Sequence, residues 1–245
     1  MITEIGKYFI FLGHLFTNRE SFRTYYNLIL EECVAIGVGS LFLVALVSTF
    51  MGAVTTVQTA FNMVSDFIPD YVISQVAREM IVLELAPTII AVIYAGKVGS
   101  SMASGLGTMR ITEQIDALEV MGINSISYLV LPKIIASLLM YPLLVILAGF
   151  CGMLGGYLAG TLTGLITPAD YILGLRSGYN EFTITFALIK SVVFAFLVSS
   201  ISSYNGYNTQ GGALEVGVSS TKAVTSSVIA VLIADYLLAQ LLLGK

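Results

Sequence analysis

Between residues 33 and 243 the chain carries five apolar runs, each about long enough to cross a bilayer, and this limits the fold more than any other feature. They fall at about 33–56, 80–96, 134–158, 182–203 and 221–243, with Pro87 inside the second and Pro142 inside the third. A transmembrane helix needs about 20 predominantly apolar residues. Composition agrees: 57% of the 245 residues are hydrophobic and only 11% are charged, whereas soluble chains carry about 25% charged residues. So few charges do not cover a globule, and lipid must be the missing solvent. The expected fold is an all-α polytopic membrane protein with five transmembrane helices. It is read as one domain over 1–245, with 1–32 an N-terminal interfacial region.

In that region Ile5, Tyr8, Phe9, Leu12, Leu15 and Phe16 recur at helical spacing, and Lys7, Asn18, Arg19 and Glu20 mark the polar side and end. The pattern predicts an amphipathic helix lying in the membrane interface. The opening lacks a basic n-region and a small-residue cleavage site, so no cleavable leader is expected.

Several chemistries lack their residues. A net charge of −4 without a basic stripe argues against nucleic acid. Cys33 and Cys151 sit far apart in apolar runs, as small hydrophobes do. The one histidine, His14, lies in the N-terminal helix, and there is no His/Cys cluster for a metal. "GKVGSS", at 96–101, lacks the upstream glycine spacing of a phosphate-binding loop. No cofactor and no ATPase site of its own are expected.

Lysine and arginine set the orientation, because they concentrate on the cytoplasmic side. With the N-terminus inside, Lys7, Arg19, Arg23, Lys97, Arg110, Lys133 and Lys222 fall in the cytoplasm. Only Arg78, Arg176 and Lys245 fall outside, and Lys190 lies within a span. The C-terminus then lies outside. Glycines 149, 152, 155, 156 and 160 in the third span are read as close-packing positions.

Three ionisable residues fall inside spans: Glu84, Lys190 and Asp235. Charge in hydrocarbon is costly unless paired or hydrated, so each is a functional candidate. On this topology Glu84 lies about 6 Å, and Lys190 and Asp235 roughly 12 Å, below the outer boundary. Two acids and one base at similar depth could neutralise one another around a cavity, or could form a structural ion-pair network. Pro87, three residues after Glu84, is expected to bend the second span and free backbone carbonyls.

The stretch "TMRITEQIDALEVMGIN", 108–124, is an acidic island in the cytoplasmic loop. Ile111, Ile115, Leu118 and Met121 form an apolar stripe, Glu113, Asp116 and Glu119 another face, and Gly122 a stop. A short amphipathic helix over about 108–122 follows. Its acidic face disfavours anionic lipid, so a partner protein with a matching groove is expected.

These residues also resemble a known family. "ELAPTIIAVIYAGKVGSSMASGLGTMRITEQIDALEVMGINSISYLVLPKIIA", 84–136, and "NGYNTQGGALEVGVSSTKAV", 205–224, are similar to the MlaE-type permeases of bacterial lipid-transport ABC systems. The likeness covers the chain from about residue 28 onward. It implies a homodimeric permease core in the bacterial inner membrane, its C-terminus periplasmic. The implied partners are a cytoplasmic ABC ATPase that binds the ATP, a periplasmic MCE-domain protein and a phospholipid substrate. It also implies a coupling helix that seats in the ATPase, with Arg110, Ile111, Glu113, Gln114, Ile115, Asp116, Leu118, Glu119 and Met121 at the contact. Glu84, Pro87, Lys190 and Asp235 would line the lipid cavity. The sequence departs from the family pattern at Ala86 (glycine there), Lys97 (arginine), Glu215 (glycine) and Val218 (arginine). The rival readings are a membrane scaffold that moves no substrate and a passive channel.

Overall fold

The computed structural model describes residues 2–15, 22–63 and 69–243, which form helices and short connections without a strand among them. The helices are α1 (Ile2–His14), α2 (Phe22–Cys33), α3 (Gly39–Asn62), α4 (Tyr71–Met80), α5 (Ile90–Tyr94) and α6 (Ser100–Ile111). They continue as α7 (Gln114–Val120), α8 (Ser125–Leu162), α9 (Pro168–Arg176), α10 (Glu181–Tyr207) and α11 (Ala213–Leu243). Three wide-turned π segments, Val34–Val38, Ile81–Ile89 and Ala95–Gly99, join α2 to α3 and thread α4, α5 and α6 into one rod.

Five rods are long and apolar enough to cross a membrane: Arg23–Asn62, Tyr71–Ile111, Ser125–Leu162, Glu181–Tyr207 and Ala213–Leu242. The first three have 40, 41 and 38 residues, or about 60 Å at 1.5 Å per residue, twice a hydrocarbon core of about 30 Å. The spans read from hydropathy mark the greasy middle of these rods and miss their extensions. The second differs most. Pro87 does not end it, because π turns carry the backbone past the ring. It then continues through Met102, Ala103, Leu106 and Gly107, which are buried despite the small, polar company around them. α8 likewise runs unbroken through Pro132 and Pro142.

α3 and α8 pack closest, through glycine. A Cβ on Gly52 would stand 1.8 Å from the Gly152 carbonyl oxygen, and one on Gly155 would stand 1.9 Å from that of Thr49. Small-residue contact of this kind replaces hydrophobic driving force in lipid. Gly149 does not share the role, since a Cβ there would meet nothing within 4 Å. Several hydroxyls along the rods are satisfied locally: Ser48, Thr55, Thr59, Ser137 and Ser199 each donate to the carbonyl four residues back. That is how polar side chains are tolerated without water.

The core has a middle and two ends. Ile36, Ala86, Ile90, Tyr94, Tyr141, Leu144, Phe194 and Val231 belong to the central cluster. At one end Phe11 and Leu15 of α1 join Leu106, Val130 and Ile134. At the other, Ala60, Ile73, Ile166 and Tyr171 bind α9 to α3 and α4. We call these the α7 end and the α9 end.

The N-terminal helix is more embedded than an interfacial helix need be. Phe11 and Leu15 are buried, Tyr8 and Leu12 are half-buried, and Phe9 and Ile10 stay exposed. The apolar stripe is thus divided between the protein and the surroundings. The Tyr8 hydroxyl lies 2.7 Å from Ser200 Oγ, and burial lifts its pKa above the usual phenol value. Asn124 Nδ2 donates to the His14 carbonyl at 3.1 Å. The side chains of Ile5 and Phe16, and the residues Asn18, Arg19, Glu20 and Lys245, lie outside what is described.

Candidate functional site

Three rods meet around one ammonium. Lys190, on α10, is fully buried, and its Nζ lies 2.7 Å from Glu84 Oε2 and 2.5 Å from Asp235 Oδ1 on α11. The residues singled out as misplaced charges are therefore mutual partners. The sequence had also placed them at similar depth, and each lies nearer the α9 end of its rod. The three are not equally enclosed. The Asp235 side chain is 13% exposed and that of Glu84 is 52% exposed. One acid is locked inward and the other opens to the surface of the chain. With all three ionised the cluster carries a formal charge of −1, two carboxylates against one ammonium.

Local sequence explains the geometry. An α-helical N–H at position 87 would bond to the carbonyl of residue 83, and proline has none. Lys190 Nζ donates to the Leu83 carbonyl at 3.1 Å instead. The Pro87 carbonyl in turn accepts from the Tyr141 hydroxyl at 2.7 Å. Thr88 Oγ1 donates to Asp235 Oδ1 at 3.3 Å, and the Lys190 ammonium sits 5.0 Å from the centre of the Phe186 ring. Leu83, Thr88 and Phe186 escaped the sequence reading. Each lies four residues from a residue that reading did name, Pro87, Glu84 and Lys190, and so on the same helix face.

Beside this cluster runs an apolar groove of about 270 Å³ lined by Val82, Ala86, Gly149, Phe150, Ile184 and Ala187 among others. It uses the helical turn that bears Glu84, but Glu84, Lys190 and Asp235 are not in its wall. Within the single chain the charged cluster and this apolar groove are therefore separate features. Period explains this: residues 82 and 86 are neighbours on a helix, and residue 84 faces away from both.

The acidic island folds differently from one continuous helix. Ile111 closes α6, Thr112 leaves helical geometry, and Glu113 adopts the left-handed conformation at φ 59°. Glu113 N–H bonds the Arg110 carbonyl while its own carbonyl starts α7 through Ala117. The helix of about 108–122 is thus a helix end, a left-handed corner and the short α7. Gly122, at φ 80°, ends it as expected.

This corner splits the apolar stripe. Ile115 is fully buried and Leu118 and Ile111 half-buried, so these face the protein. Met121 is 65% exposed, and beside it Val120, absent from the stripe, is 89% exposed. Two of the acids, though exposed, have partners within the chain. Asp116 Oδ1 pairs with Arg110 at 2.6 Å. Glu119 Oε1 accepts from Ser125 Oγ and from the Tyr207 hydroxyl, both at 2.9 Å. Gln114 and Glu113 remain at the surface. Val120, Met121, Gln114 and Glu113 are thus exposed, Asp116 and Glu119 are exposed but paired, and Ile115 is buried.

Comparison with known proteins gives one family. The family described as Permease MlaE matches residues 29–241. A probable ABC transporter permease protein of Rickettsia bellii is 37% identical over 238 residues, covering 97% of this chain and 92% of the relative. Another of that description, from Synechocystis, is 35% identical over 213 residues, 87% of this chain and 81% of its own. The Arabidopsis thaliana protein TRIGALACTOSYLDIACYLGLYCEROL 1, chloroplastic, is 34% identical over 216 residues, 85% of this chain and 59% of the relative. With the matched segment reaching into all five rods and holding both acids and the buried lysine, this multi-pass membrane protein belongs to the MlaE permease family.

Proposed function

We propose that the chain is the membrane-spanning permease subunit of an ATP-driven transporter that moves a phospholipid or similar amphiphile across the bacterial inner membrane. The observation that carries this reading is the half-exposed Glu84 carboxylate inside a membrane rod, joined to a fully buried Lys190. A carboxylate cannot face hydrocarbon at that exposure, so its open side must meet a hydrated cavity or another protein surface. A second copy of the chain would close that side, and the apolar groove nearby offers walls for acyl tails. The exposed Ile229, Leu232, Ile233, Tyr236 and Leu237 of α11 give a second copy or lipid something to cover. The relatives' name, ABC transporter permease, and the plant relative's name, which contains that of a galactolipid, support both halves of the reading.

In this scheme the N-terminus and α7 are cytoplasmic and the C-terminus periplasmic, as the lysine and arginine bias requires. ATP is bound by a separate ATPase that takes hold of Val120 and Met121, and the chain itself needs no cofactor. An MCE-domain protein receives or delivers the lipid on the periplasmic side. Movement of α7 would reach the bundle through Glu119 and Tyr207, the last residue of the helix that carries Lys190.

The test is to purify the tagged protein with whatever it retains, identify subunits and lipids by mass spectrometry, and reconstitute transport. We expect an ATPase, two copies of the chain and bound phospholipid, with transport abolished in Glu84→Gln but assembly intact. Normal transport by Glu84→Gln would remove the charged cluster from the mechanism. Flux that persists without ATP would make the chain a channel, and assembly without any flux a scaffold.

A further inference from the structure

Three of the apolar runs stop at a charged residue: the first begins after Glu32, the second ends before Lys97 and the third begins after Lys133. In the fold these three residues, far apart in sequence, line one recess near the α7 end, together with Ala35, Ile36, Val98, Ser101 and Met102. Lys133 Nζ is paired with Glu32, and Lys97 Nζ donates to the Gly39 carbonyl, just past the π segment of the first rod. From these observations the geometry points to a phosphate-binding site, separate from the Glu84–Lys190–Asp235 cluster, that holds the phosphate of a membrane lipid where the rods leave the hydrocarbon.

Charge, size and lining agree. Two ammoniums against one carboxylate leave the recess at +1 when all are ionised. Each ammonium has three N–H donors, and the bonds named above use one from each. Its volume of about 110 Å³ leaves room for one phosphate group. Ile36, Val98 and Met102 give it an apolar wall beside the cations. That pairing of cation and hydrocarbon suits a lipid phosphate with its glycerol and first methylenes better than a free anion. Lysines that merely anchor a helix extend along the outside to reach water. Here the Lys133 side chain is only 20% exposed and is held between rods, whereas Lys97 is exposed. Along the second rod the recess and Glu84 are 13 residues apart, about 20 Å, and the inference does not depend on what the charged cluster carries.

Glu32 makes the idea testable in two directions, because it competes with a phosphate for Lys133. The probes are phosphatidylglycerol, diacylglycerol and inorganic phosphate, titrated into the full-length detergent-solubilised protein and read by native mass spectrometry. Phosphatidylglycerol should be retained and diacylglycerol should not. Lys97→Gln and Lys133→Gln should each weaken retention on the order of tenfold, the value of one charge-assisted contact. Lys97→Arg and Lys133→Arg, which keep charge and fold, should retain it. Glu32→Gln should strengthen it. Retention unchanged in both glutamine variants, or unchanged or weakened in Glu32→Gln, would overturn the site. Displacement by inorganic phosphate at matched concentration would overturn its assignment to a lipid.

Discussion

Arg78 and Lys190 are both buried cations of the α9-end half of the bundle, and they could hardly be used more differently. Arg78, 8% exposed, donates to the carbonyls of Leu175, Ser177 and Gly178 at 2.7, 2.9 and 3.2 Å. It ties down the end of α9, giving most of its donors to backbone carbonyls and one to Glu79, its neighbour in sequence, at 3.3 Å. Lys190 is held by two carboxylates from two other rods, one of them open at the surface. Burial of a charge therefore does not mark a functional site by itself. The partners do: fixed carbonyls make a fastener, whereas ionisable groups on separate helices can exchange protons, partners or positions.

The contrast can be broken by mutation, and the largest effect should come from Lys190. Lys190→Met leaves Asp235 buried and Glu84 half-buried without their cation. Removing one partner of a buried pair costs about 3–5 kcal/mol, and unfolding in detergent should show it. Adding Asp235→Asn to that variant should return about 1–3 kcal/mol of coupling, since the acid no longer needs a cation. Arg78→Met should come next, at about 1–3 kcal/mol for carbonyls stripped of their donor, with transport per folded molecule unchanged. If Arg78→Met instead abolished transport in protein of normal stability, the distinction between fastener and site would fail.

Smaller effects sharpen it. Glu84→Gln should change stability by no more than about 1 kcal/mol, because the side chain is half exposed, yet it should stop transport. Met121→Glu and Val120→Glu, on the outward face of α7, should leave stability within about 0.5 kcal/mol and release the ATPase in pull-down. Leu118→Glu reads less cleanly, since that side chain is half inside the protein and would disturb the fold as well.

How far the sequence reached follows from the kind of signal each feature leaves. Five spans were legible because lipid demands long apolar runs and nothing else in the chain imitates them. Glu84, Lys190 and Asp235 stood out against that background, and depth alone brought them to one level. Their pairing was open, since it depends on which helix faces which, and periodicity in an almost wholly apolar span is weak. The extension of the second rod through 97–111 was illegible because serines and glycines there read as loop, although they pack against α10 and α11. Glu113 explains the remaining error. A left-handed glutamate carries no composition signal, and without that corner the positions 111, 115, 118 and 121 lie on one face on paper but on two in the fold.

Pro87 has a consequence that reaches beyond its own helix. An imide nitrogen carries no hydrogen for the preceding turn, and in that turn the Leu83 carbonyl accepts from an ammonium 107 residues further along the chain. The address of the buried positive charge is thus written twice, once by the residue that brings it and once by a residue that withholds a proton. Replacing Pro87 with alanine would supply a new N–H donor to that turn without touching any charged side chain. The cluster would then be perturbed by a hydrogen atom, with its three ionisable groups all still in place.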